Sequence, residues 1–372
     1  MSNPIQSMRI VFDVVKAAKD NNNPLSDDAI KQLLLATVSD EKIRNRYDNF
    51  SKGYFAEELF RRTYSLLPWI KLITSLGQEQ YPEVSKESIQ IPDYEVTFEA
   101  GSPYNTSKVL IEVKLVDGDK QTFKLLKNTY EVLRNYEESS PFPLVFAIFW
   151  RKNMIWTVNA IESFSEKSSS YKISFDQACL NDLSAIFGDY SYMFSKRPYR
   201  KSRFLNSENL ESEYFHYHEK YGLTVYEGVS IDGKEYNDLC CIETAVLDCA
   251  FDYEQVEYRK INELETEIIE RLKNSTYIYK LSTLMLGYLL KIYCYDNNDM
   301  YYRNNSVVEN TFGIVDTVRR KCGGEKFYLL PHDKESTTYS LMKIQFGKVH
   351  HIFDAYSNAQ REEGYVLLCK HD

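Results

Sequence analysis

Two acidic residues and a lysine form the chain's sharpest chemical pattern: Asp93, directly after Pro92, and Glu112 with Lys114 two positions on. Residues 108–114 read KVLIEVK. Alternate side chains of a strand project to opposite faces, so Glu112 and Lys114 share one face while Val109, Ile111, Val113 and Leu115 take the other. Upstream, IPDYEVTFEA is a second strand-length run, and the GSPYNTS between the two, with Gly101, Pro103 and Asn105, reads as a hairpin loop. Pairing across that loop brings the Asp93 carboxylate toward Glu112. Paired carboxylates suit a hard divalent cation such as Mg²⁺ or Mn²⁺, with positions left for water and a phosphate oxygen. A lysine beside them orients a nucleophile or offsets charge growing on phosphate. Phosphodiester hydrolysis is the reaction these three residues would serve.

Pro92-Asp93 followed by Glu112-Val113-Lys114 resembles the PD-(D/E)xK nuclease superfamily, also called restriction-endonuclease-like, in which a PD precedes an ExK on adjacent strands. Gly53-Tyr54-Phe55-Ala56-Glu57 resembles the G-x-x-A-E helix pattern that this superfamily often carries before its sheet. The resemblance covers about residues 50 to 160. It implies an α/β (α+β) fold with a mixed sheet flanked by helices. It also implies catalytic Asp93, Glu112, Lys114 and Glu57, the three carboxylates as metal ligands, and Mg²⁺ or Mn²⁺ as cofactor. The function it implies is a metal-dependent endonuclease acting on DNA, with restriction or anti-invader defence as its setting. RNA stays open as a substrate, and so does a catalytically inactive nuclease-like binding or assembly protein. Two intact carboxylates facing a lysine favour turnover, because a scaffold released from catalysis has no physical reason to keep them.

Composition sets the outer limits. A length of 372 residues favours two domains, and 43% hydrophobic with 27% charged residues is an ordinary globular balance. Seven scattered cysteines without a C-x-x-C pair indicate neither a zinc site nor a disulfide framework, which fits a reducing cytoplasm. The start, MSNPIQSMRIVFDVV, lacks the continuous apolar block of a signal peptide. A net charge of −9 argues that nucleic acid would need a local basic surface, since phosphate affinity comes from lysine and arginine displacing counterions. No Gly-rich phosphate loop of the P-loop form appears, which removes ATP or GTP hydrolysis.

The elements that must position the site follow from periodicity. Residues 1–50 read as a helical extension: Ile5, Met8, Val11, Val14 and Val15 recur at helical spacing up to Asn21-Asn22-Asn23-Pro24, Ser26 caps a second helix through Leu35, and a third from Ser39 carries Lys42, Arg44 and Arg46 on a solvated face. Residues 51–190 form the nuclease-like domain. Its helix over 52–67 buries Ala56, Leu59, Phe60, Thr63 and Leu67, with Glu57 at the edge of that stripe and Glu58 outward beside Arg61 and Arg62. A first strand is expected within 69–76, and Phe123, Leu126, Tyr130, Leu133 and Tyr136 mark a helix after the ExK strand. LVFAIFW and MIWTVNAI complete the sheet.

Residues 191–213 read as a basic, proline-interrupted linker whose Arg197, Arg200, Lys201 and Arg203 supply nucleic-acid-binding charge. Residues 214–372 read as a C-terminal recognition or partner-binding domain, mostly helical α+β, which leaves room for a homodimer or a partner protein. Val256, Ile261, Leu264, Ile268 and Leu272 give one helix there. The apolar segment 277–295 is interrupted by Lys280, Ser282, Thr283 and Lys291, so it reads as a buried helix and not as a membrane span. His216 with His218 and His350 with His351 lack a third ligand or a common face, and Cys240 and Cys241 read as buried small hydrophobes.

Overall fold

A computed structural model describes residues 4–20, 23–77, 80–194, 198–206, 217–241, 253–273, 278–286 and 324–327, with Glu243, Thr244, Leu247, Pro331, Thr337, Ser340 and Leu341 besides. The chain divides into two compact units, the first built on residues 1–189 and the second on residues 190–328. The first opens with α1 (Pro4–Asp20), α2 (Asp27–Thr37), α3 (Glu41–Arg44) and α4 (Tyr47–Tyr64). Ser26 starts α2 by accepting a hydrogen bond from the Ala29 N–H, and Asp40 starts α3 by accepting from Lys42 and Ile43, each satisfying N–H groups the helix cannot pair itself. Met8, Val11, Leu34 and Val38 bury together, with Tyr47 and Phe50 of α4 packed against them. The first fifty residues are therefore not an appendage. Their apolar stripes close on the helix that bears Glu57, and that helix begins at Tyr47, earlier than its own periodicity suggests.

The sheet of the first unit has the order β1-β2-β3-β5-β6, from β1 (Ile70–Ser75), β2 (Tyr94–Glu99), β3 (Thr106–Val116), β5 (Leu144–Trp150) and β6 (Ile155–Ala160); β4 (Thr122–Leu126) lies outside it. All neighbours are antiparallel except β3 and β5, which run parallel and so require a crossover, supplied by α5 (Lys127–Ser139). This is the mixed sheet flanked by helices that the sequence leads one to expect. Gly101, at φ 72°, takes the left-handed conformation that the β2–β3 loop needs.

Strand β3 differs from its expected half-buried state. Residues 109–113 are all buried, because α4 covers one face while Leu110 joins Leu133, Phe146, Ile148 and Trp150 on the other. Such two-sided burial is normal for a strand with a parallel neighbour. Beneath α4, Phe60 and Tyr64 meet the Trp156 ring edge-on, and Phe98 meets Phe187 in the same way.

The helix expected from Phe123 starts later. Thr122–Leu126 pairs with β8 (Ser170–Ser174), itself paired with β7 (Ser165–Lys167), so Leu125 is buried and Leu126 stands 59% exposed. Strand pairing outweighs a helical spacing that Phe123 and Leu126 meet by coincidence. A capping box of Ser174 and Gln177 opens α6 (Phe175–Leu180).

In the second unit the described residues are mostly strand. One sheet runs β11 (Tyr217–His218), β12 (Gly222–Ser230), β10 (Tyr199–Leu205), β15 (Glu265–Leu272), β14 (Tyr253–Lys260), with β13 (Asn237–Asp238) beside β12. A second, three-stranded sheet places β9 (Ser191–Phe194) between β16 (Ile278–Lys280) and β17 (Gly324–Phe327). The helix expected over 256–272 is thus the β14–β15 hairpin. Asn262 makes its turn by accepting from the Leu264 and Glu265 N–H groups, which leaves Val256, Ile261 and Leu264 exposed and buries Ile268 and Leu272. Of the apolar segment 277–295, residues 278–280 are strand and 281–286 helical; the rest lies outside the described residues, as do His216, His350 and His351. Cys240 is exposed and Cys241 half-buried, not the buried pair expected. No helix among the described residues is long and apolar enough to cross a membrane.

The expected basic linker is corrected most sharply. Residues 199–205 are the middle strand of the larger sheet, and strand alternation sends Arg200 inward with Ser202 and Phe204. The Arg200 Nε donates to Glu227 Oε2 at 2.7 Å with both side chains buried. Replacing Arg200 with serine is expected to cost about 3–5 kcal/mol of stability, because Glu227 is left charged and buried. Chemical denaturation of the two proteins measures this. A fully stable Arg200→Ser chain would mean the strand does not bury that charge.

Candidate active site

The register between β2 and β3 brings the three central residues together. Tyr94 lies opposite Ile111, so the next step places Asp93 opposite Glu112. Here β2 has just begun, and the Asp93 side chain takes over from the strand ladder: its Oδ2 accepts the Val113 N–H at 2.8 Å. Glu112 and Lys114 share a face as their spacing predicts, with Lys114 Nζ 2.5 Å from Glu112 Oε1. Gln90 Nε2 stands 3.4 Å from the same oxygen. Glu112 Oε2 is buried and has no hydrogen-bond partner.

Glu57 projects from α4 toward this group, and the Tyr94 hydroxyl ties the helix to β2 by donating to the Glu57 backbone carbonyl at 3.3 Å. Glu58 points away as expected, held by Arg61, Arg62 and Lys16. Burial alone would raise its carboxyl, but the hydrogen bonds from Arg61 and Arg62 hold it down at about 2.

The electrostatics of the site run the other way. Burial, then the charge of Asp93, pushes Glu57 up to about 8, against the pull of Arg9, and the same two causes push Glu112 up to about 7 despite Lys114. Burial also raises Asp93, with Lys114, the Val113 N–H and Arg9 offsetting it in part. For Lys114 burial acts downward, yet Glu112 and Asp93 outweigh it and hold the ammonium above its ordinary value. Three carboxyls thus crowd a space in which they cannot all be charged unless more positive charge joins Lys114.

Among the described residues no group of three or more His, Cys, Asp or Glu side chains is arranged to hold a metal ion. Lys114 occupies Glu112 Oε1, and Val113 holds Asp93 Oδ2. The donors are nonetheless hard carboxylate oxygens, and the buried, unpartnered Glu112 Oε2 is the kind of atom a cation satisfies.

No protein-family model and no curated relative matches the chain. Among solved structures it is similar to a Holliday junction resolvase of the archaeal hyperthermophile Archaeoglobus fulgidus, at 16% identity over 37% of this chain and 97% of that one, with a TM-score of 0.27.

Arg197 lies outside the described residues, and Arg200 is sealed against Glu227. Lys201 and Arg203 lie on the opposite face of β10, 3.7 Å and 3.1 Å from Glu267, a carboxylate that Arg259 also approaches. Arg200, Lys201 and Arg203 therefore face glutamates from β12 and β15. Conversely, Arg9 and Gln90 reach the site unforeseen. Gln90 stands three residues before Asp93, near enough for local spacing to hint at it, whereas only the packing of α1 on α4 brings Arg9 in.

The raised carboxyls bind their protons more tightly in the folded than in the unfolded chain. Their contribution to stability is full below the ordinary carboxylate range and is lost as pH rises through about 7 and 8. In EDTA the melting temperature is expected to fall between about pH 5 and pH 8, less steeply in Glu112→Gln, which cannot ionise there. Melting curves across that range check this, and a melting temperature that climbs with pH would contradict the crowding of the three carboxyls.

Proposed function

We propose that this chain is a metal-dependent phosphodiesterase that cuts DNA internally. One observation carries the reading: strand register sets Asp93 against Glu112 while Lys114 stands on the same carboxylate, with one buried glutamate oxygen unpartnered. Asp93 and Glu112, joined by Glu57, would hold Mg²⁺ or Mn²⁺. The ion, when bound, would polarise a phosphate oxygen and lower the pKa of a coordinated water. Val113 fixes the direction of Asp93 through its N–H, and Gln90 steadies Glu112, so the ligands keep their places without help from substrate. Lys114, charged throughout the neutral range, is placed to neutralise charge growing on the phosphate once the Glu112 carboxylate is shared. The second unit is read as the recognition or partner-binding half, and restriction or anti-invader defence as the setting such an enzyme would serve.

A nucleic-acid-binding protein without turnover is the second reading. It is favoured by the Lys114–Glu112 ion pair, which already neutralises one carboxylate with no metal. One experiment separates the two. Purified protein is expected to cleave duplex DNA in Mg²⁺ or Mn²⁺ and to lose all cleavage in EDTA, with single-stranded DNA and RNA run in parallel to set the substrate class. Lys114→Ala should lower the single-turnover rate by about 10²-fold or more while nucleic-acid binding persists. Asp93→Ala should instead raise the metal concentration needed for half-maximal rate. Full activity in Lys114→Ala, or cleavage that ignores EDTA, would sink the proposal.

A further inference from the structure

We infer that Arg9, on the N-terminal helix, is a phosphate-gripping residue of this site: seated on the Tyr54 ring, its guanidinium takes a backbone phosphate oxygen of nucleic acid laid across Asp93, Glu112 and Lys114. The inference rests on the proposed function. Its geometry begins with α1, which Met8 and Val11 anchor by burial. Phe12 stacks on Tyr54 at 4.6 Å and 24°, which fixes that ring one helical turn before Glu57. The Arg9 guanidinium carbon lies 5.7 Å from the Tyr54 centroid. An aromatic seat occupies the face of a guanidinium and leaves the N–H donors at its edge free for a forked bond to two oxygens.

Those donors are not taken up by the carboxylates nearby. The Arg9 charge is felt at Asp93 and Glu57, yet among the described residues it closes no ion pair or hydrogen bond with either, whereas Arg61 and Arg62 are closed on Glu58. The site also has a need for such a cation. A polyanion must approach three carboxylates on a chain of net charge −9, and Arg200, Lys201 and Arg203 already face Glu227 or Glu267. Arg9 supplies positive charge at the site itself, from the segment that sequence alone marks as an extension.

The test is DNA binding by the full chain, in Ca²⁺ to prevent turnover, across a range of KCl, followed by single-turnover cleavage in Mg²⁺. Arg9→Gln is expected to weaken binding about tenfold and to lower the salt slope by about one, the signature of one lost phosphate contact. Arg9→Lys should recover the slope but only part of the affinity, because an ammonium lacks the fork. A purely structural role would move the melting temperature and leave the salt slope alone. Single methylphosphonate substitutions along the DNA supply the decisive readout. One of them should weaken the wild-type chain and leave Arg9→Gln no weaker than it already is. Equal affinity and slope in wild type and Arg9→Gln, or methylphosphonate losses unchanged by the substitution, overturn the inference. Metal-dependent cleavage with that outcome leaves the proposed function standing. Loss of the phosphate contact in Arg9→Gln, in a wild-type chain that cleaves nothing, has the opposite meaning: the grip is real and the hydrolysis reading falls.

Discussion

Burying Glu112 in a strand covered on both faces is the constraint on which the rest of the site depends. A carboxylate there cannot turn to water, so it must keep its proton, find a cation, or collect hydrogen bonds. The chain supplies parts of all three: Lys114 at 2.5 Å, the Gln90 amide at 3.4 Å, and a rise in the carboxyl to about 7. What it leaves unsatisfied is Oε2. A structural ion pair would gain by covering that oxygen as well.

The surrounding architecture follows from keeping β3 central. Its parallel partner β5 forces a crossover through α5, and α4 closes the opposite face, so the strand that carries Glu112 and Lys114 is held rigidly from both sides. Asp93 stands where β2 begins, with its side chain completing the ladder at Val113. The carboxylate is thus positioned by the same hydrogen-bond pattern that pairs the strands, which is stiffer than any loop. The helical cluster of Met8, Val11, Leu34 and Val38 then docks α1 against α4 and sets Arg9 over the Tyr54 ring, one turn before Glu57.

The second unit handles charge differently. Arg200 with Glu227, and Lys201, Arg203 and Arg259 around Glu267, are cations and carboxylates matched across neighbouring strands. Lys201 also lies 4.2 Å from the centre of the Tyr236 ring, and Arg203 5.2 Å from that of Tyr226. Cations clustered in sequence thus face carboxylates that arrive from β12 and β15. At the site of the first unit, by contrast, three carboxyls, Glu57, Asp93 and Glu112, act on the one lysine, Lys114.

Local patterns determined much of this protein. The order of PD, loop and ExK marked Asp93, Glu112 and Lys114, because strand alternation and one hairpin suffice to bring them together; the helix stripe of Ala56, Leu59 and Phe60 likewise placed Glu57 at its edge. The apolar runs LVFAIFW and IWTVNA needed no tertiary knowledge to be read as strands. Only the tertiary structure decided the rest. That Glu112 is buried on both faces depends on what α4 and α5 cover, and that Phe123 and Leu126 belong to a strand depends on β8, some fifty residues on. The hairpin at 253–272 shows the same limit, since Val256, Ile261 and Leu264 match a helical period that cross-strand pairing overrides. Charge is the least legible property of all: whether Arg200 meets a phosphate or a glutamate, and whether Arg9 meets anything, depends on residues far away in sequence, because Coulomb interactions act through space and not along the chain.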